Sequence, residues 1–228
     1  MKLIMKSDLS FYTTATVIAV AVCLIACTNQ PLKNSPAETA AGWESKRLSR
    51  YNTVVFAKAA AVIKTGDMIT RLGTDITSEM ICQLNQTDKS FSHCGIASLE
   101  HDTLFVYHAI GGEFNPDQKL KREELYTFCH PSESKSVGIF EIAMDSITIK
   151  KLITDIQEIY QKGTLFDMDF DYKTDDRLYC AEFVSKSYSK AISDSSWFTF
   201  TTKGHFKYVA VDNLFLNKSM REKMRCEY

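Results

Sequence analysis

The sequence predicts a single α+β domain in which an antiparallel sheet packs beside helices. Two apolar segments, 91–99 and 103–110, flank the polar residues 100–102. This arrangement is typical of an antiparallel β-hairpin. Further along the chain, apolar residues recur at helical spacing over 149–160. Strands that pair antiparallel, with helices gathered beside them, define the α+β class.

The other elements follow from the same periodicities and from polar, glycine and proline breaks. The helix over 149–160 is predicted to be capped by Asp145 or Ser146 and to stop at Gly163. An acidic loop over 167–176 separates it from the next helix. The remaining predicted elements are a helix over 43–63, a strand over 68–71, a helix over 75–84, a strand over 137–142, a helix over 178–192, one or two strands within 197–211 and a short polar helix that closes the chain.

The N-terminus has the layout of a secretory signal. Lys2 and Lys6 precede an uncharged, largely apolar run over 11–26, which is short for a transmembrane span. The run ends in Leu-Ile-Ala followed by Cys27. This junction resembles a bacterial lipobox, in which the cysteine receives diacylglycerol before cleavage. The alternative is an uncleaved anchor helix in which Cys27 is incidental.

These features divide the chain into a signal peptide (1–26), a lipidated Cys27 with a flexible tether (27–42) and a folded domain (43–228). The polar, proline-containing composition of 28–42 indicates the tether. Thr28 stands where an aspartate would resemble a signal for retention in the inner membrane. The sequence therefore favours a membrane partner reached through a lipid anchor, in the outer membrane and facing the periplasm.

Composition argues against several classes of function. The formal net charge is −1, and no basic stretch is interleaved with aromatic residues, so no nucleic-acid partner is predicted. The folded domain has an odd number of cysteines, which leaves at least one thiol unpaired in an oxidising compartment if none pairs between chains. No CxxC spacing occurs, which argues against a zinc or thioredoxin-type site. The cysteines of the folded domain are Cys82, Cys94, Cys129, Cys180 and Cys226.

Cys180 is the cysteine best placed for chemistry. Asp175 or Asp176 can cap the predicted helix, which places Cys180 within its first turns. The backbone N–H groups and the positive end of the helix dipole stabilise a thiolate there and lower its pKa. The alternative is a buried, inert helix cysteine.

His93 is the best candidate for a base that serves this cysteine. It stands in a predicted apolar strand, and Gly95 lies on the same face and leaves room for another group. If residues 99–102 form a four-residue loop, His93 lies opposite His108, close enough for one imidazole to orient the other. A register shift of one residue would separate the two rings. A lone strand histidine with a structural role is the alternative.

Four short motifs occur in an order that resembles a known family. They are Gly-Asp-Met-Ile from Gly66, Ser-His-Cys-Gly-Ile from Ser92, Val-Tyr-His-Ala from Val106 and Tyr-Cys-Ala-Glu-Phe from Tyr179. Together they resemble the circularly permuted papain-like amidases, the YiiX/YebB-like branch of the NlpC/P60 superfamily, over most of 43–228. The resemblance implies a permuted papain-like fold, in which the histidine strand precedes the cysteine helix.

The resemblance also implies roles for three residues: Cys180 as nucleophile, His93 as general base and His108 as the third, orienting residue. Many relatives carry a carboxylate at the third position, and many carry serine where this chain has Ala181. The implied activity is cleavage of amide or ester bonds through a thioester, without a cofactor. The implied substrates are peptide, peptidoglycan-derived or acyl compounds. The alternative is a catalytically silent lipoprotein of the same fold that binds a peptide or acyl ligand in the cell envelope.

No metal site is predicted. Asp167, Asp169 and Asp171 alternate like the start of a calcium loop, but Tyr172 and Leu178 stand where such a loop needs glycine and glutamate. The segment is therefore interpreted as a solvated acidic loop.

Overall fold

A computed structural model describes residues 56–112, 115 and 117–228 of the chain. The chain divides into two units, Met1–Gly42 and Trp43–Tyr228, and all described residues belong to the second. The predicted signal peptide, Cys27, the tether and the first part of the predicted helix over 43–63 lie outside the described residues. Among the described residues, no helix has the length and apolar character needed to cross a membrane.

The described helices and strands are interspersed along the chain, with the two long helices in its second half. The helices are α1 (Phe56–Val62), α2 (Ile76–Cys82), α3 (Leu125–Phe128), α4 (Ser146–Gln161), α5 (Cys180–Ile192) and α6 (Val211–Phe215). The strands are β1 (Met68–Gly73), β2 (His93–Glu100), β3 (Thr103–His108), β4 (Lys121–Glu124), β5 (Ser134–Ile142), β6 (Thr201–Lys203), β7 (Phe206–Tyr208) and β8 (Met220–Glu227).

Six strands form one antiparallel sheet in the order β4-β3-β2-β1-β5-β8, and β6 and β7 pair separately. Alternate strand residues face two cores, as a period of two requires. Met68 and Ile96 pack with α4 and α5, whereas Ile69 and Ala97 pack with α1 and α3. The predicted α+β class with an antiparallel sheet is confirmed.

The β2–β3 hairpin forms, but its turn is shorter than predicted. Its outermost pair is Glu100 with Thr103, so His101 and Asp102 alone make the turn. Both have positive φ, 47° and 64°, which a two-residue hairpin turn of the primed type requires and which histidine and aspartate tolerate better than most residues. The predicted four-residue loop over 99–102 is therefore wrong. Each residue of β2 pairs with a β3 residue two positions away from the predicted one. Because side chains alternate with a period of two, every side chain keeps its predicted face.

The start of α5 also differs in detail from the prediction. The N-cap is Tyr179, whose backbone N–H donates to Glu182 Oε2 at 3.2 Å. The predicted caps Asp175 and Asp176 lie further upstream and are wrong. By contrast, Asp145 caps α4 as predicted and accepts from the Thr148 N–H at 2.8 Å.

Both edges of the sheet are charged strands that the sequence pattern did not indicate. The predicted closing helix is instead the strand β8, which pairs with β5, and β4 pairs with β3 at the other edge. Charged side chains are common on edge strands because they oppose pairing with other chains. The same charges hide the alternation by which a strand is recognised.

Candidate active site

Cys180 is the first residue of α5, the helix that packs against β2. Its side chain is buried, with 7% of the residue's surface exposed. Two buried tyrosines hold this helix in place. The Tyr179 hydroxyl accepts from the Val209 N–H at 2.8 Å, and the Tyr188 hydroxyl donates to the Gly66 carbonyl at 2.8 Å. The two contacts tie α5 to the segments that precede α6 and β1.

Strands β2 and β3 stop pairing with each other near Cys180. The pairing of β2 with β1 extends to His93, whereas the pairing of β2 with β3 stops at Ile96. The thiol and the backbone N–H of Cys94 are both hydrogen-bonded to Cys180. The Cys180 sulfur therefore lies at the opening between β2 and β3, beside backbone that β3 has left.

The two predicted histidines meet at the same opening. His93 Nε2 lies 2.8 Å from His108 Nδ1, and the His93 side chain is also hydrogen-bonded to Cys180. Both imidazoles are buried, and Phe128 of α3 packs against both rings. The structure thus brings together Cys180, His93 and His108, the three residues named from the sequence.

Gly95 makes the contact between the histidines possible. A Cβ atom at this position would lie 2.7 Å from the Tyr107 carbonyl oxygen and 3.0 Å from His108 Cβ. Separations this short would push β3 and the His108 side chain away from β2. The space expected from a glycine on the His93 face is therefore occupied by His108.

The sequence reasoning missed one residue of this site, Glu123. Its Oε2 lies 3.2 Å from His108 Nε2, within ion-pair distance but poorly aligned for a hydrogen bond. Glu123 belongs to the edge strand β4, whose sequence Lys-Arg-Glu-Glu has no apolar pattern that would predict a strand. No local signal could have placed this carboxylate beside His108.

Burial and mutual contacts set the charge states of these groups. Burial lowers the pKa of His93 to about 4, although the contact with Cys180 opposes the shift. The pKa of Cys180 is held well below its usual value, first by the hydrogen bond from the Cys94 thiol and then, against burial, by His93. Burial and the Cys180 contact raise the pKa of Cys94. At neutral pH His93 is therefore a neutral imidazole, and the Cys180 thiol loses its proton more readily than an ordinary thiol.

The other cysteines differ from Cys180 in their surroundings. Cys82 ends α2 and donates to the Glu79 carbonyl at 3.1 Å, and burial raises the pKa of Cys129 to about 12. Cys94 packs among the residues that face α5, as strand alternation predicts. Its direct contact with Cys180 was not predicted. Cys82, Cys94, Cys129 and Cys180 are all free thiols.

Two acidic residues near α5 have structural partners. Asp167 is buried and accepts from the N–H groups of Asp169 and Asp171, at 2.9 and 2.7 Å. Glu182 is buried at the start of α5, where Lys186 Nζ lies 2.8 Å away and burial raises the pKa of Glu182 to about 7. Asp167 therefore organises the acidic loop, and Glu182 organises the first turn of α5.

The antiparallel sheet with helices packed against it is consistent with a papain-like fold. Among solved structures, the chain is similar to the crystal structure of the metalloprotein YiiX from Escherichia coli O157:H7. The TM-score is 0.60 at 17% sequence identity, and the match covers 72% of this chain and 98% of that chain. No family model and no curated protein matches the sequence. The chain therefore has a YiiX-like fold.

The structural neighbour is described as a metalloprotein, and a metal ion needs several His, Cys, Asp or Glu side chains grouped around it. Among the residues that the structure describes, no three such side chains are grouped so that they could hold a metal ion. The nitrogen atoms that would be the natural ligands contact each other, His93 Nε2 with His108 Nδ1. These residues therefore do not fit a metal ion.

Proposed function

We propose that this protein is a cysteine hydrolase of the cell envelope that cleaves amide or ester bonds through a thioester acyl-enzyme. The observation that carries the proposal is the contact between a thiol at a helix N-terminus, Cys180, and a buried neutral imidazole, His93, which a second imidazole holds. A nucleophile, an adjacent base and an orienting third group are the parts that covalent acyl transfer needs.

The reaction begins when the Cys180 sulfur attacks the carbonyl carbon of the substrate. The proton of the thiol passes to His93, which then gives it to the departing amine or alcohol, and a thioester remains on Cys180. His93 next removes a proton from a water molecule, which attacks the thioester. The acid product leaves, and the proton returns to the sulfur. His108 holds the His93 ring throughout.

The start of α5 supplies charge stabilisation for the tetrahedral intermediates. The first N–H groups of a helix have no partner within the helix, and the N–H of Cys180 is the first in α5. A negatively charged oxygen formed next to the sulfur lies close to this N–H and to the positive end of the helix dipole. One such donor is worth about 10²–10³-fold in rate in other acyl-transfer enzymes.

A thiol-directed activity probe tests the proposal without knowledge of the substrate. Wild-type protein should be labelled at Cys180 by an electrophilic acyl probe, and Cys180→Ser should lose this label because the hydroxyl is far less nucleophilic. Cys129→Ser provides the matched control, since it changes another buried cysteine. Labelling should be located by peptide mass spectrometry. A wild-type Cys180 that stays unlabelled while the protein is folded would favour a silent binding protein instead.

The envelope location rests on the lipobox-like junction before Cys27. We propose that Cys27 carries the lipid anchor, that the domain faces the periplasm and that its substrates are peptide, peptidoglycan-derived or acyl compounds. Replacing Cys27 with alanine should block lipid attachment and leave the precursor with its signal peptide. Metabolic labelling with a fatty-acid analogue measures this outcome. A Cys27→Ala protein that is lipidated like the wild type would contradict the anchor.

A further inference from the structure

The chain of contacts that begins at Cys180 does not end at His108. His108 Nδ1 contacts His93 Nε2, and the other ring nitrogen of His108, Nε2, lies 3.2 Å from Glu123 Oε2. His108 is completely buried, whereas 21% of the Glu123 side chain is exposed. The order of contacts is therefore sulfur, imidazole, imidazole, carboxylate, and it runs from the sheet opening to the edge strand β4.

An ionised carboxylate at the end of this chain determines where the protons of both rings lie. A negative charge 3.2 Å from Nε2 stabilises a proton on that nitrogen, so neutral His108 carries its proton on Nε2 and its Nδ1 is an acceptor. That acceptor faces His93 Nε2, which must then carry the proton of His93. Nδ1 of His93 is left without a proton, and it is the ring nitrogen available to Cys180. This is the form that a base for the thiol requires.

We propose that Glu123 is a positioning residue that selects the Nε2–H tautomer of both histidines and so presents an unprotonated nitrogen of His93 to Cys180. The inference deepens the proposed function and rests on it for the role of His93. Glu123 touches neither the sulfur nor the substrate in this arrangement, and it acts through His108 alone.

The charged groups around Glu123 keep it ionised. Burial by itself would raise the pKa of Glu123, but His108, Lys121 and Arg71 lower it to about 2. Lys121 Nζ lies 3.3 Å from Glu123 Oε1. Arg71 is buried on the same face of the sheet, opposite His93 in the β1–β2 pairing, and donates to the Phe128 carbonyl at 3.0 Å. Burial lowers the pKa of His108, and Arg71 and Lys121 add to the shift although the Glu123 carboxylate opposes it, so both rings are neutral at pH 7.

The tautomers can be read directly from the nitrogen chemical shifts of protein labelled with ¹⁵N-histidine. The chain has five histidines, so His93→Gln and His108→Gln suffice to assign the two signals of interest. In the wild type both rings should show the Nε2–H form. In Glu123→Ala the acceptor is gone, and His108 should shift toward a mixture of tautomers. Glu123→Gln keeps an acceptor oxygen but removes the negative charge. Both histidines should therefore keep the Nε2–H form in this variant.

The same variants should change the reactivity of Cys180. For Glu123→Ala we expect kcat/KM for ester hydrolysis to fall by about 10²-fold, less than the roughly 10⁴-fold lost when an orienting carboxylate touches the base directly. Glu123→Asp should recover part of this loss. The matched control is Glu124→Gln, the exposed neighbour on the other side of β4, which should leave both readouts unchanged.

The two proposals fail in different ways. Wild-type tautomers that persist in Glu123→Ala would overturn the role of Glu123, whatever the activity. If the wild type hydrolyses no ester or amide but Glu123→Ala still changes the His108 tautomer, the positioning role stands and the proposed hydrolase function fails.

Discussion

Replacing His93 with alanine should lower the rate of acyl transfer by about 10²–10⁴-fold, the usual contribution of a general base. The same change should raise the pH at which Cys180 becomes alkylated, because His93 is one of the groups that lower the pKa of this thiol. The pH dependence of alkylation, followed for each cysteine by mass spectrometry, measures the second effect. Wild-type Cys180 should react well below the ordinary thiol pKa of roughly 8.5.

Two cysteine variants test whether the low pH at which Cys180 becomes alkylated depends on its neighbours in the site. Cys94→Ala removes the thiol that donates to Cys180, so it should move the onset of alkylation in the same direction as His93→Ala. A hydrogen bond to a charged group is worth about 1.5–3 kcal/mol, which corresponds to roughly 1–2 pH units. Cys129→Ala lies in the other core and should leave the onset in place. An onset for Cys180 equal to that of Cys226 in the wild type would contradict the activated thiol.

Replacing Asp212 with alanine should lower the free energy of unfolding by about 1.5–3 kcal/mol, as expected when a buried carboxylate that accepts hydrogen bonds is removed. Asp212 is buried in α6, and its Oδ2 accepts from the N–H groups of Gln86 and Thr87 at 2.8 Å and of Asp88 at 3.4 Å. Without the carboxylate, these backbone donors lose their partner. Gln86 and Thr87 are exposed, so water replaces part of what the hydrogen bonds contributed.

The Asp212 contacts also hold the segment that leads into β2. Asn85 in this segment accepts from the Asp212 N–H and donates to the Phe91 carbonyl at 2.7 Å, two residues before His93. Chemical denaturation measures the loss of stability. Asp212→Asn keeps one acceptor and should lose less, and the exposed Asp176→Ala should stay within about 0.5 kcal/mol of the wild type. A wild-type midpoint for Asp212→Ala would contradict the structural role of this carboxylate.

Much of the fold could be predicted because its signals are local. The apolar spacing of α4 and its cap at Asp145 both lie within a few turns of chain, and both appear as predicted. The hairpin was predicted with its turn in error by two residues, since hydrophobic alternation specifies the face of a residue better than its exact partner. The charged edge strands β4 and β8 were missed because a solvated edge has no apolar alternation to detect.

The same distinction between local signals and long-range contacts applies to the candidate site. The sequence by itself determined that His93 and Gly95 share a face, because the period of a strand decides that placement, and that Cys180 lies in the first turns of a helix. Only the tertiary structure decided that the Cys94 thiol contacts Cys180, that β3 leaves β2 after Ile96 and that Glu123 reaches His108. These contacts join elements whose separation along the chain is large, and they depend on how strands diverge and helices dock. The residue pattern within a single helix or strand does not indicate which distant element it will contact.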